Sequence, residues 1–153
     1  MKLCQKPKIL IVEDKLGMQK ILSYAVEQLA YEPIVVATAS EAIARAEEAM
    51  LLILDMRLAE QTDGEDVILA LNGRPLAPTI VVVTAYPELL ERARMLGVRY
   101  TMDKADYTEE DFKKLIERAM QATSIRVLDE GTKNLQATML QRQQVKPTEH
   151  LRR

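Results

Sequence analysis

Four short stretches of the chain are apolar without interruption: Ile9-Leu10-Ile11-Val12, Ile34-Val35-Val36-Ala37, Leu51-Leu52-Ile53-Leu54 and Ile80-Val81-Val82-Val83. A fifth, weaker one is Val98-Arg99-Tyr100-Thr101-Met102. Strands that face water on one side alternate apolar and polar residues. Unbroken apolarity rich in β-branched residues marks strands buried on both faces, as in a parallel sheet. Between these runs the periodicity changes to that of helices. Residues 17–30 place Met18, Ile21, Leu22, Ala25, Val26 and Leu29 on one stripe. Ser40 is placed to cap a helix through Ala49. Asp63-Gly64 opens a segment carrying Val67, Ile68 and Leu71, which Gly73 and Pro75 stop. Pro87 suits the first position of a helix ending before Gly97. Thr108 to Asp111 reads as a capping box ahead of Phe112, Leu115, Ile116 and Ala119. Strand then helix, five times over, predicts a doubly wound α/β sheet.

Composition narrows the chemistry. The chain has 153 residues, enough for one compact domain, with one cysteine, one histidine and no tryptophan. Cys4 alone excludes an intrachain disulfide and a cysteine-based zinc cluster. His150 alone, near the C-terminus, argues against a Ser-His-Asp or Cys-His machine. A net charge of −2 gives no reason to expect nucleic acid as the main ligand. No apolar run approaches the roughly 20 residues that span a bilayer, so no membrane association is expected and the reading is cytoplasmic. The sequence divides into a leader over 1–7, a domain over 8–123 and a Gln-rich tail over 124–153. The tail carries six cationic and three acidic side chains, leaving 15 and 20 for residues 1–123. It is expected to be disordered or partly helical, with Leu135, Met139 and Leu140 on a helix near 132–144. Thirty residues are too few for an ordinary DNA-binding output domain.

In open α/β sheets, ligands sit outside the carboxyl ends of the strands. The first run is followed by Glu13 and Asp14 and the third by Asp55. The fourth ends in Thr84-Ala85, and the fifth leads to Asp103 and Lys104. Each residue has an ordinary explanation on its own: a helix start, a turn cap, a strand threonine, a solvated lysine. Together they place three carboxylates, a hydroxyl and an amine on one edge of the sheet. Clustered acids repel unless a cation neutralises them, and a hard divalent ion such as Mg²⁺ suits carboxylate oxygens and phosphate. An aspartate can attack phosphorus, while a lysine and a hydroxyl hold the remaining oxygens.

The segments Lys8-Ile-Leu-Ile-Val-Glu-Asp14, Leu51-Leu-Ile-Leu-Asp55-Met-Arg-Leu58, Asp63-Gly64, Val83-Thr84-Ala85 and Asp103-Lys104 resemble the receiver domain of two-component response regulators. The likeness covers about residues 8–122, in the manner of a stand-alone chemotaxis-type regulator. It implies a flavodoxin-like (βα)₅ fold with a five-stranded parallel sheet of order 2-1-3-4-5. It implies that Asp55 accepts a phosphoryl group from a phosphohistidine, either on a sensor histidine kinase or on a histidine phosphotransfer protein. Mg²⁺ would be held by Glu13, Asp14, Asp55 and the backbone carbonyl of Arg57. Thr84 and Lys104, with the backbone N–H groups of Met56 and Ala85, would grip the phosphoryl oxygens. Such a domain is not an enzyme beyond catalysing its own phosphorylation and dephosphorylation. Its output is a change in the face formed by helix 4, strand 5 and helix 5, read by a downstream protein partner or a homodimer.

The chain departs from the family pattern in three places. Ala105 follows Lys104 where proline joined by a cis bond is usual. A cis bond before a non-proline residue costs roughly 2.5–4 kcal/mol, so a trans bond is predicted. The switch position holds Thr101 rather than an aromatic, with Tyr100 one residue earlier and on the opposite face. Ala59 stands where proline is frequent in the loop after the aspartate. Arg57 and Tyr86 lie two residues beyond Asp55 and Thr84, flanking the path of hydrolytic water in this family. Three other functions stay open: a phosphorelay intermediate or phosphate sink, a folded receiver that is never phosphorylated, and a flavodoxin-like domain binding a small molecule. The last lacks a Gly-rich loop after the first strand, where Glu13-Asp14-Lys15-Leu16-Gly17 has a single glycine.

Overall fold

A computed structural model describes residues 5–59 and 64–144, with side chains to 142. Cys4, Asp63, His150 and the rest of the tail beyond 144 lie outside the described residues, as does most of the leader. The elements alternate as expected: β1 (Lys8–Val12), α1 (Leu16–Gln28), β2 (Glu32–Val36), α2 (Ala39–Arg45), β3 (Leu51–Leu54), α3 (Gly64–Leu71), β4 (Thr79–Thr84), α4 (Pro87–Met95), β5 (Tyr100–Asp103) and α5 (Glu109–Gln144). The chain divides into two units, Met1–Thr123 and Ser124–Arg153. No helix among the described residues is long and apolar enough to cross a membrane.

The five strands form one parallel sheet in the order β2-β1-β3-β4-β5. Successive residues of each central strand enter opposite cores, which is why their sequences are apolar throughout. Leu10, Val12, Leu52, Leu54 and Val82 pack with Ala42, Val67, Ile68, Leu71, Leu90 and Ala93 from α2, α3 and α4. Ile9, Ile11, Leu51, Ile53, Val81 and Val83 pack with Leu22, Ala25 and Val26 of α1 and with Phe112, Leu115 and Ile116 of α5.

Local chemistry set several element ends where the pattern had placed them. Pro87 is the first residue of α4, and the Thr108 hydroxyl accepts the Asp111 N–H at 3.1 Å. Gly73 and Gly97, just past α3 and α4, have φ of +78° and +97°, which glycine adopts without penalty. Two ends differ. The cap of α2 is Thr38, not Ser40: its hydroxyl accepts the Glu41 N–H at 3.2 Å and donates to the Glu41 carboxylate at 2.9 Å. Ala39 is already helical and buried, so the cap has to come one residue before it. The helix stops at Arg45, and Ala46–Glu48 tighten into a 3₁₀ turn. α1 ends at Gln28 because Ala30 adopts φ +65° and the Tyr31 N–H reaches back to the Val26 carbonyl at 3.2 Å. That left-handed turn costs a non-glycine residue roughly 1–2 kcal/mol, and nothing in the residue type announces it.

Candidate functional site

β1, β3 and β4 all end at the same edge of the sheet, and the chemistry is gathered there. Ile11 pairs with Ile53 and Val12 with Leu54, so Glu13 and Asp55 leave adjacent strands at the same level. The Asp55 N–H donates to the Val12 carbonyl at 3.0 Å, and the Glu13 N–H to that of Val36 at 3.1 Å. Leu54 pairs with Val82, which brings Thr84 to the same edge from the next strand. β5 adds Lys104 immediately after its last residue.

One carboxylate oxygen from each of Glu13, Asp14 and Asp55 lies within 4.8 Å of the other two. Glu13 and Asp55 are buried. The Lys104 ammonium donates to Glu13 Oε2 and to Asp55 Oδ2, both at 2.8 Å. The other Asp55 oxygen accepts the Arg57 N–H at 3.2 Å, and the other Glu13 oxygen accepts the Lys15 N–H at 3.2 Å. Burial pushes the Glu13 carboxyl up; the bond from Lys104 opposes this and the Asp55 charge adds to it. Burial pulls the Lys104 ammonium down, but its bonds to Asp55 and Glu13 outweigh that and leave it above the usual lysine range.

Two buried polar atoms are left over at this edge. Asp14 Oδ1 and the Thr84 hydroxyl have no hydrogen-bond partner. Unpaired buried polar atoms are costly and call for a bound group. Three acids with one spare oxygen are a donor set for a hard divalent cation. A spare hydroxyl and an ammonium beside them suit an anion. The residues present therefore fit Mg²⁺ together with a phosphoryl group.

The remaining sequence-predicted residues fall around this centre. Met56 is buried under the site and Ala85 is exposed beside Thr84. Arg57 stacks on Tyr86, its guanidinium carbon 3.9 Å from the ring centroid. The two side chains thus form one stacked pair rather than two separate groups. Tyr100 packs against the core cluster of α1 and α5. Thr101 lies on the opposite side, in a groove of about 1000 Å³ shared with Pro87, Leu90 and Arg94 of α4 and with Lys114 and Arg118 of α5. Asp103 takes no part in the acid cluster: its carboxylate accepts the Ala105 N–H at 2.9 Å and caps a 3₁₀ turn over Lys104–Asp106. No cis peptide bond occurs among the described residues, so Lys104-Ala105 is trans.

Sequence reasoning missed two residues that shape the site. The Gln19 amide of α1 donates to the Glu13 carbonyl at 2.7 Å. Gly64 donates its N–H to the Met56 carbonyl at 2.8 Å. A Cβ on Gly64 would stand 2.7 Å from the Asp55 carbonyl oxygen and 2.8 Å from Met56 Cα. The Asp63-Gly64 pair signalled a helix start and a segment of the family likeness; its close approach to Asp55 is not written in local pattern.

The buried Glu13 charge predicts a trade of stability against binding. A carboxyl whose folded pKa lies above its unfolded value weakens the fold as pH rises through that window, and the loss is complete above the folded value. Without Mg²⁺ at neutral pH, Glu13→Gln is therefore expected to melt higher by a few °C, the effect of about 1 kcal/mol in a domain of this size. The gap should close on acidification, and Mg²⁺ should stabilise only the wild type. Melting curves from pH 4 to pH 8, with and without Mg²⁺, test this; a gap independent of pH contradicts it.

The sequence profile of the response regulator receiver domain matches residues 9–117. No curated protein matches the chain. Among solved structures, it is similar to the chemotaxis protein CheY4 of Vibrio cholerae, at 21% identity over 74% of this chain and 98% of that one, with a TM-score of 0.65. A CheY-like response regulator receiver domain protein from Methanospirillum hungatei JF-1 aligns at 23% identity, covering 80% and 99%, with a TM-score of 0.69. The response regulator StyR aligns at 22% identity over 89% of this chain and 70% of that one, with a TM-score of 0.77.

Proposed function

The chain belongs to the response regulator receiver domain family, a family of signalling domains, and on that premise we propose that Asp55 is its phosphoryl acceptor and that phosphorylation there controls a protein partner. The observation that carries this reading is the Lys104 ammonium held at 2.8 Å from both Asp55 and Glu13, beside the unpaired Asp14 carboxylate oxygen and Thr84 hydroxyl.

Asp55 needs no general base, because an ionised carboxylate is already a nucleophile. An Asp55 oxygen attacks the phosphorus of a phosphohistidine on a sensor histidine kinase or a histidine phosphotransfer protein. The P–N bond breaks, and its electron pair stays on the imidazole nitrogen. Glu13, Asp14, Asp55 and the Arg57 carbonyl would hold Mg²⁺, which would supply neutralisation of charge on the phosphoryl oxygens. Lys104 then exchanges its bond to Asp55 Oδ2 for one to a phosphoryl oxygen. Thr84 gains the partner its hydroxyl lacks, and the backbone N–H groups of Met56 and Ala85 hold a further oxygen.

The new bonds made by Thr84 and Lys104 draw on the end of β4, which leads into α4, and on the turn after β5, and α4 and that turn both line the groove that holds Thr101. Phosphorylation thereby biases the α4–β5–α5 face between two states, and a partner that prefers one of them reads the signal. With Thr101 in the switch position, the motion is of a small side chain. The protein so described acts in the cytoplasm.

Incubation with a small phosphodonor and Mg²⁺ tests the proposal: intact mass should rise by one phosphoryl group. No gain in the wild type overturns it. The lifetime of the aspartyl phosphate tests the cover formed by Arg57 and Tyr86. A cation–π stack at an exposed site is worth about 0.5–1 kcal/mol, so Arg57→Ala or Tyr86→Ala should each shorten the lifetime a few-fold by admitting water. A lifetime unchanged in both variants removes the cover from the mechanism.

A further inference from the structure

Asp14 carries a buried carboxylate oxygen, Oδ1, that no hydrogen bond steers. Glu13 differs: the Lys15 N–H holds one of its oxygens and the Lys104 ammonium the other. The direction of Asp14 Oδ1 is therefore set by the backbone on either side of it. α1 begins two residues later, at Leu16, with little to fasten its start. Lys15 at the cap position makes no side-chain bond to the helix, and the first turn holds no acid. Gly17 stands in that turn.

One residue grips this stretch from both ends. The Gln19 amide donates to the Glu13 carbonyl at 2.7 Å, and the Gln19 N–H donates to the Lys15 carbonyl at 3.0 Å. Glu13 precedes Asp14 and Lys15 follows it, so both neighbours of Asp14 are tied to a single residue of α1. Neither bond uses a carboxylate oxygen, which leaves the acids open to a cation. Gln19 is half-buried, so its amide is partly shielded from competing water.

We propose that Gln19 is a positioning residue for Mg²⁺: it holds Asp14 Oδ1 where the cation needs it and so sets the affinity of the acid cluster for the metal. This role rests on the reading of Glu13, Asp14 and Asp55 as the Mg²⁺ ligands. Mg²⁺ demands near-ideal placement of its oxygen ligands, and a ligand free to swing has to be ordered at the moment of binding. Outer partners of metal ligands are worth about 10–100-fold in affinity. Gln19 acts through the backbone, so the lower end, about tenfold, is expected.

Calorimetric titration of the full chain with Mg²⁺ measures this in two variants. Gln19→Leu loses the donor. Gln19→Glu keeps the shape, loses the donor and adds a negative charge, which by Coulomb attraction alone would tighten Mg²⁺ binding. Both variants are expected to bind Mg²⁺ about tenfold more weakly than the wild type. Phosphodonor labelling should need about tenfold more Mg²⁺ to reach half its maximal rate, and saturating Mg²⁺ should make up the loss. Either variant binding Mg²⁺ as tightly as the wild type, or more tightly, overturns the positioning role. So does a labelling rate that saturating Mg²⁺ fails to restore. A wild type that binds no Mg²⁺ overturns the Mg²⁺ site and this role with it, whereas a wild type and variants that bind it equally well overturn the role alone.

Discussion

Asp55→Asn is expected to fold and to take no phosphoryl group from a small phosphodonor in the presence of Mg²⁺. The side chain is buried at the end of β3, with one oxygen accepting the Arg57 N–H and the other accepting from Lys104. Asparagine has the same shape, and its carbonyl oxygen can keep one of these bonds. Its amide is no nucleophile toward phosphorus, so the mass gain disappears rather than slowing. The fold survives because the cluster loses one of several crowded negative charges while Glu13 still holds Lys104. Intact mass after labelling, read beside a melting curve, gives both results. A full mass gain in the variant would place the acceptor elsewhere.

Gly64→Ala should destabilise the protein, against the ordinary direction for such a change. Alanine normally replaces glycine in a helix with a gain of roughly 0.5–1 kcal/mol. Here the added methyl meets backbone, the Asp55 carbonyl oxygen at 2.7 Å and Met56 Cα at 2.8 Å. Neither can rotate away as a side-chain tip would. Relief requires α3 to retreat or the chain after β3 to shift, at a cost of about 1–3 kcal/mol, visible as a melting point several degrees lower. Because the displaced segment carries Asp55, phosphorylation should also slow at temperatures where the variant is fully folded. A variant as stable as the wild type would show that the approach is not tight.

Much of the fold was legible because it rests on short-range pattern. The apolar runs at 9–12 and 51–54, and 81–83 of the run at 80–83, are buried on both sides, and that condition leaves a signature inside each run. Pro87 and Thr108 start helices through chemistry confined to one turn. The same reasoning erred where two neighbours compete for a role. Thr38 and Ser40 are both good caps, and the burial of Ala39 against β1 and α3 residues decides between them. It also missed the end of α1, where Ala30 takes a conformation that its side chain does not favour.

The sequence by itself determined the strands, their succession with helices, and the residue types standing at the strand ends. It did so because a strand or a helix turn is specified by residues a few positions apart. Only the tertiary structure decided which of those groups meet. Lys104 is 91 residues from Glu13 and 49 from Asp55, and their shared contact follows from the order and register of four strands. The stack of Arg57 on Tyr86 and the approach of Gly64 to Asp55 have the same origin. A buried unpaired atom, such as Asp14 Oδ1 or the Thr84 hydroxyl, has no sequence signature at all. It is defined by what surrounds it, and the surroundings come from distant parts of the chain.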